Sequence, residues 1–254
     1  MAWCCPTRLS KRVTRTLWPL ALDVLAPCHC TLCELPSNRP IELCTACESD
    51  LPWLAYSCQS CALPLASNDG LCGECLREPP SFDATVAAVA FAGPVPELVH
   101  ALKYGGQLPV LPVLTEILAQ TVVDHLAENA APDVLVPMPM HWHRRLRRGF
   151  NQAQLLAAGL KKHPQLRDYQ LVVDRTACRR TRPTPPQRGL NARQRRANLS
   201  QALTCERPLD GLSVAVIDDV MTTGASVAAL ATALKAAGAR RVEAWCCART
   251  LRPA

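Results

Sequence analysis

Aromatic side chains are scarce in this 254-residue chain: five Trp, three Tyr and three Phe, 4% of the residues. That is thin material for a base-stacking platform on single-stranded nucleic acid. Long apolar runs are missing too. The longest, such as residues 212–217, fall far short of the ~18 residues of a membrane span, so no integral membrane segment is expected. The N-terminus lacks a complete export signal. Arg8, Lys11, Arg12 and Arg15 precede an apolar stretch, but Pro19 and Asp23 interrupt it and no small-x-small cleavage site follows. The expectation is a short amphipathic helix and a cytoplasmic protein. Charge is modest at 19%, yet an apolar content of 49% excludes a disordered chain. The 22 prolines follow no collagen-like period.

Cysteine, in contrast, is abundant, with 15 residues. Eight form Cys-x-x-Cys pairs: Cys30/Cys33, Cys44/Cys47, Cys58/Cys61 and Cys72/Cys75. The pairs begin at a constant step of 14 residues, which marks an internal repeat. Two intervening residues let both thiolates meet one ion from a tight knuckle, and Zn²⁺ takes four such ligands tetrahedrally. In a reducing compartment this many cysteines mean metal rather than disulfides, and the regular knuckles favour zinc over an iron–sulfur cluster. Two structural Zn²⁺ ions follow, paired either sequentially or as a cross-brace; the sequential double ribbon is the preferred arrangement. Cys28 and His29 read as bystanders. Four thiolates close each site and leave no position for a reacting water. A segment this short needs the metal to fold, with binding worth on the order of 10 kcal/mol per ion. Cys246 and Cys247, in an apolar run, read as small buried hydrophobes.

Residues 24–78 are thus assigned to a zinc-ribbon module and residues 80–254 to an α/β domain expected to stay folded without it. Strands are expected at 85–91, 133–137, 170–173, 213–217 and 242–248, and helices at 96–104, 111–126, 151–162 and 225–237, with Gly238 closing the last. Such alternation favours a parallel sheet with helices on both faces and ligands at the strands' carboxyl ends.

One motif carries chemistry: Val216-Ile-Asp-Asp-Val-Met-Thr-Thr-Gly-Ala-Ser226. An apolar strand delivers Asp218 and Asp219, and a Thr-Thr-Gly turn then opens a helix. Free N–H groups, two hydroxyls and the positive helix end make an anion site suited to phosphate. Gly224 permits close backbone approach. A phosphate with a diol nearby, held by the carboxylates, describes a ribose 5-phosphate.

This motif resembles the 5-phosphoribosyl 1-pyrophosphate (PRPP) motif of type I phosphoribosyltransferases. From about residue 24 onward the chain resembles the ComF family, including GntX-like proteins, which joins a double zinc ribbon to a phosphoribosyltransferase-like domain. The pattern is met at Leu102-Lys-Tyr-Gly105, Val136-Pro-Met-Pro139, Arg147-Arg-Gly-Phe-Asn-Gln-Ala153, Gln187, Leu190, Arg193, Asn198 and Ala248-Arg-Thr250. The knuckles depart from it, carrying Glu34 and Ala62 where the family often has Gly. The resemblance implies that Asp218 and Asp219, as catalytic residues, hold the ribose hydroxyls. It implies PRPP contact across Asp218, Asp219, Val220, Met221, Thr222, Thr223, Gly224, Ala225 and Ser226, with the 5′-phosphate on Thr222 to Ser226. Pro137, Met138, Pro139 and Arg148 would form the pyrophosphate loop. The implied reaction is pentosyl transfer from PRPP with Mg²⁺, through an oxocarbenium-like transition state that needs no protein nucleophile. The alternatives are non-catalytic PRPP sensing and single-stranded-DNA binding. The family further implies competence-type DNA uptake, with uptake and recombination proteins as partners at the inner face of the membrane.

The net charge of +7 is local. Residues 141–200 hold 15 Lys/Arg against Asp168 and Asp174 alone, a balance of +13. A basic loop closing over a polyphosphate, or a track for single-stranded DNA, fits this. Metal binding by His141 and His143 is not expected.

Overall fold

The computed structural model describes residues 28–67, 70–104, 106–181 and 203–251. The N-terminal amphipathic stretch, Gly105 and the basic residues from Arg182 through Asn198 lie outside them. The centre is a four-stranded, all-parallel sheet built from β1 (Ala84–Ala90), β2 (Val134–Pro137), β5 (Ser213–Met221) and β6 (Arg241–Arg249), in the order β1-β6-β5-β2. Its strands are nearly continuous apolar runs because both faces are covered.

Alternating side chains feed two cores. Val86, Ala88, Leu135, Ala215, Ile217, Trp245 and Cys247 pack with the helices α3 (Val95–Tyr104), α4 (Val110–Glu128) and α6 (Gln152–Lys162). Val136, Val214, Val216, Ala244 and Cys246 pack on the other face with α7 (Ala225–Ala236). α4 is long and apolar enough to cross a membrane by length and composition, but nine of its residues, among them Leu114, Ile117 and Leu118, are buried in the protein core. The α7 helix ends as expected: Gly238 lies at φ +100°, its N–H donates to the Lys235 carbonyl, and Ala239 N–H donates to Leu234. A Cβ at Gly238 would fall 2.3 Å from Asp210 Oδ1, so glycine is required there.

Two readings need correction. Residues 170–173 are not a strand. A 3₁₀ turn (Pro164–Tyr169) precedes them, and only Val173 bridges Leu135 before Asp174 turns the chain by accepting from the Thr176 and Ala177 amides. β5 also runs past Ile217, because β6 is equally long and continues the ladder to Met221↔Arg249. The unforeseen elements include α5 (Trp142–Arg148), and the antiparallel pair β3 (Cys178–Arg180) and β4 (Leu203–Cys205). The β3–β4 register sets Cys178 opposite Cys205 in a disulfide, an exception to the metal-only reading of the cysteines. Cys246 and Cys247 are buried, as expected of small hydrophobes, and burial pushes the Cys246 thiol up to about 12.

The cysteine-rich segment is two copies of one knuckle. Cys30 N–H donates to Leu35 and Glu34 N–H to Cys30; 28 residues on, Cys58 donates to Leu63 and Ala62 to Cys58. The helices α1 (Thr45–Ser49) and α2 (Gly73–Arg77) repeat at the same offset. Glu34 and Ala62 both sit at positive φ, +62° and +54°, a conformation that favours glycine. Glu34 is exposed, so Glu34→Gly is expected to stabilise the protein by about 0.5–1 kcal/mol in chemical denaturation.

The linker between the knuckles lies along β1. Trp53 bridges Val89, Leu54 N–H donates to Ala88, and Ala90 N–H donates to Pro52. An otherwise open sheet edge is thereby covered. Cys30, Leu43 and Leu51 join the α4-side core, while Cys58, Cys61 and Cys75 join the α7-side core.

Candidate functional site

β2 ends at Pro137, opposite Ile217, so β5 and β6 project beyond it by the residues from Asp218 onward. β2 leads into α6 on one face of the sheet and β5 into α7 on the other. The winding therefore reverses between these neighbours, and a crevice opens at their carboxyl ends, where open α/β sheets bind ligands.

The crevice collects the motif residues. On one wall Met138 N–H donates to Ile217, and the Asn151 side chain donates to Met138 and caps Ala153. Pro137, Met138 and Pro139 are buried at this wall. On the other wall Thr222 and Thr223 are exposed, and Gly224 begins α7 at φ +76°. A Cβ on Gly224 would lie 3.2 Å from Met221 Cε. Thr223 Oγ1 accepts from Ala225 N–H at 3.4 Å, and Ala225 and Ser226 are partly exposed.

The two carboxylates are not equivalent. Alternation places Asp219 in the Ala215–Ile217 row and Asp218 in the Val214–Val216 row. Asp219 is 2% exposed; its Oδ2 forms an ion pair with Lys103, and its Oδ1 accepts from Gln152 Nε2 at 3.1 Å. Gln152 in turn accepts from Arg148 at 2.6 Å, and the Arg148 guanidinium lies 5.6 Å from the Tyr104 ring centre. Asp218 accepts from Asp219 N–H. Burial, reinforced by the neighbouring Asp219, raises its carboxyl well above the usual range. Arg180 reaches this corner too: burial and then Arg144 lower its pKa, and Asp218 partly offsets them.

Lys103 and Gln152 stood within matched motifs, but no spacing pointed to their meeting Asp219. The Gln187 to Asn198 positions lie outside the described residues. His141 caps α5 by accepting from His143 N–H, and neither joins a metal cluster among the described residues. Beside the crevice, α5 exposes Trp142 and Leu146 among Arg144, Arg145 and Arg147, and a groove of about 570 Å³ runs between Trp142, Arg145, Leu146 and Gly149.

The thiols converge in two sets, Cys30/Cys33/Cys44/Cys47 and Cys58/Cys61/Cys72/Cys75, each within 4.8 Å. Consecutive pairs share a centre, as the double-ribbon arrangement requires. Cys33 and Cys44 sulfurs are 3.8 Å apart and Cys61 and Cys72 3.6 Å. A tetrahedral ion with bonds of ~2.3 Å sets its ligands about 3.8 Å apart, so both sets fit Zn²⁺. Burial opposes ionisation of Cys30, yet the N–H groups of Cys44, Cys33 and Leu32 hold it down to about 6. Burial and then the neighbouring sulfurs push Cys47 and Cys75 up. A divalent cation is what lets four thiolates share one centre.

Residues 21–76 match the double zinc ribbon domain family. Over 229 residues, 89% of this chain and 98% of the relative, the chain is 34% identical to the DNA utilization protein YhgH of Escherichia coli K12. It has the same identity to YhgH of Salmonella typhimurium over 230 residues, again 89% and 98%. To competence protein F of Haemophilus influenzae it is 29% identical over 212 residues, 82% of this chain and 90% of that one.

Proposed function

The chain belongs to the ComF/YhgH family, and from that premise we propose that it binds PRPP with Mg²⁺ in the crevice between β2 and β5 and acts as a phosphoribosyltransferase. The observation that carries this reading is the acidic end of β5 running into the Thr222–Gly224 turn at the head of α7. Thr222 to Ser226 receive the 5′-phosphate on free N–H groups and hydroxyls. Asp218 and Asp219 accept from the ribose hydroxyls, Asp219 by exchanging its Lys103 or Gln152 partner. Pro137 to Pro139, with Arg148, face the pyrophosphate. No thiol, Ser or His is asked to act as a nucleophile. The chain holds the anomeric carbon open to the acceptor, and its carboxylates favour the positive charge that develops on the ribose. Apart from the cysteine sets, no cluster of three potential metal ligands occurs among the described residues. That suits Mg²⁺, which is bound through one or two carboxylates together with substrate phosphates; it would neutralise the leaving pyrophosphate. PRPP and Mg²⁺ together, at a hundredfold excess over Kd, should raise the melting temperature by roughly 5–10 °C. Ribose 5-phosphate alone should do less.

A second reading rests on α5. The relatives are named for DNA utilization and competence, and this helix sets an exposed Trp142 among arginines. Single-stranded DNA would run along this face, its phosphates on Arg144, Arg145 and Arg147 and one base on Trp142. Partners in DNA uptake, and a place at the inner face of the membrane through them, belong to this reading. Affinity should fall with salt at a log–log slope of about −0.7 per phosphate neutralised. Trp142→Ala should weaken binding roughly tenfold, and alanine at the three arginines should flatten the slope. An unchanged slope would make the arginines a solvated face.

A further inference from the structure

Arg249, at the end of β6, is 3% exposed, and the four hydrogen bonds its side chain makes among the described residues all go to backbone carbonyls. Nε donates to Cys61 at 2.7 Å, and Nη1 donates to Met221 at 3.1 Å, to Thr222, and to Thr250 at 2.8 Å. One guanidinium thus joins a cysteine of the second four-thiol set to the first residues of the anion turn.

The knuckle it grips is held along its whole length. Three consecutive carbonyls accept from the α/β domain: Gln59 from Thr85 N–H, Ser60 from Thr85 Oγ1, and Cys61 from Arg249. Cys58 and Cys61 flank these carbonyls, so a metal ion bridging them to Cys72 and Cys75 fixes the direction in which the carbonyls point. Phe82, just beyond the module, lies against Gly224 at the other end of the turn. The first set meets the domain elsewhere, through Glu48 to Gln120 and through Cys30, Leu43 and Leu51 in the α4-side core.

We propose that Arg249 is a positioning residue through which metal in the second four-cysteine centre orders the Met221–Ser226 turn and so sets its affinity for a phosphate-bearing ligand, a role the first centre does not share. This rests on the reading of that turn as the anion site. Lysine carries the charge without the forked donors, so it can serve Cys61 or Met221–Thr222 but not both.

The test compares full-length wild type, Arg249→Met, Arg249→Lys, Cys75→Ser and Cys33→Ser. The readouts are zinc content, amide hydrogen exchange across residues 221–226, and PRPP–Mg²⁺ affinity. Arg249→Met should keep two zinc ions yet speed exchange in the turn, and weaken PRPP, by about tenfold or more, the worth of one hydrogen bond from a charged donor. Arg249→Lys should fall between. Cys75→Ser should lose an ion and match Arg249→Met in turn exchange and PRPP affinity, and Cys33→Ser should lose an ion and leave the turn near wild type. Unchanged exchange in the turn of Arg249→Met, or equal effects of Cys33→Ser and Cys75→Ser, would overturn the coupling. If Arg249→Met does not fold, the lysine variant and the two cysteine variants decide it. If wild type fails to bind PRPP, the ligand reading falls, while the exchange comparison still decides whether metal orders the turn.

Discussion

Asp218→Asn and Asp219→Asn are each expected to weaken PRPP binding roughly ten- to hundredfold, the worth of a hydroxyl bonded to a charged acceptor, while moving the stability of the ligand-free protein in opposite directions. Burial and the neighbouring Asp219 raise the folded-state pKa of Asp218. The native state then holds a proton that the unfolded chain, with an ordinary carboxyl near 3.9, has released. Stability is therefore lost as pH rises from that value through the raised one, and at neutral pH the raised carboxyl costs folding free energy. Asparagine keeps an oxygen for Asp219 N–H and does not titrate, so the melting temperature should rise by about 2–4 °C. Asp219 is the reverse case. It neutralises Lys103, whose side chain is 22% exposed, and accepts from Gln152. Asparagine there leaves a largely buried ammonium without its counter-charge, at a cost of about 1–3 kcal/mol once the partial exposure of Lys103 is allowed for. Thermal melts with and without PRPP separate the two effects. A variant that kept full affinity would remove its residue from the site.

The second large effect is metal loss. Elemental analysis should return two zinc ions per chain, because eight thiols form two closed sets. Chelation under denaturing stress, or Cys58→Ser, should remove folding free energy on the order of 10 kcal/mol per ion from the cysteine-rich segment. The loss should not stop there. Residues 52–54 hydrogen-bond to β1, and Leu43 and Leu51 share a core with α4 and β6. The α/β domain should therefore melt at a lower temperature, in a transition shared with the knuckles. An α/β transition unmoved by zinc removal would mean that the two parts fold independently.

What was legible beforehand were features with a short period. The knuckles announce themselves by a 14-residue step, and their pairing follows once each copy folds on itself. The strand–helix alternation gave the parallel sheet, because strands buried on both faces are apolar throughout. The Asp-Asp-x-x-Thr-Thr-Gly run is local, so its strand, turn and helix could be read in order. Long-range contacts could not. Gln152 meets Asp219 across 67 residues and Arg249 meets Cys61 across 188, and neither leaves a periodic trace. The extension of β5 was hidden because two carboxylates read as a strand end. It is β6, with its own nine residues, that carries the ladder onward. Residues 170–173 looked like a strand by composition, but Asp174 gives the backbone a turn in place of a ladder.

Calorimetric titration of the zinc-loaded, full-length protein with PRPP, with and without Mg²⁺, tests the central claim most directly. The account predicts one saturable site per chain that needs Mg²⁺ for full affinity and is lost in the Asp218→Asn, Asp219→Asn double variant. No binding at millimolar PRPP with Mg²⁺ present, or equal binding by wild type and the double variant, would contradict it.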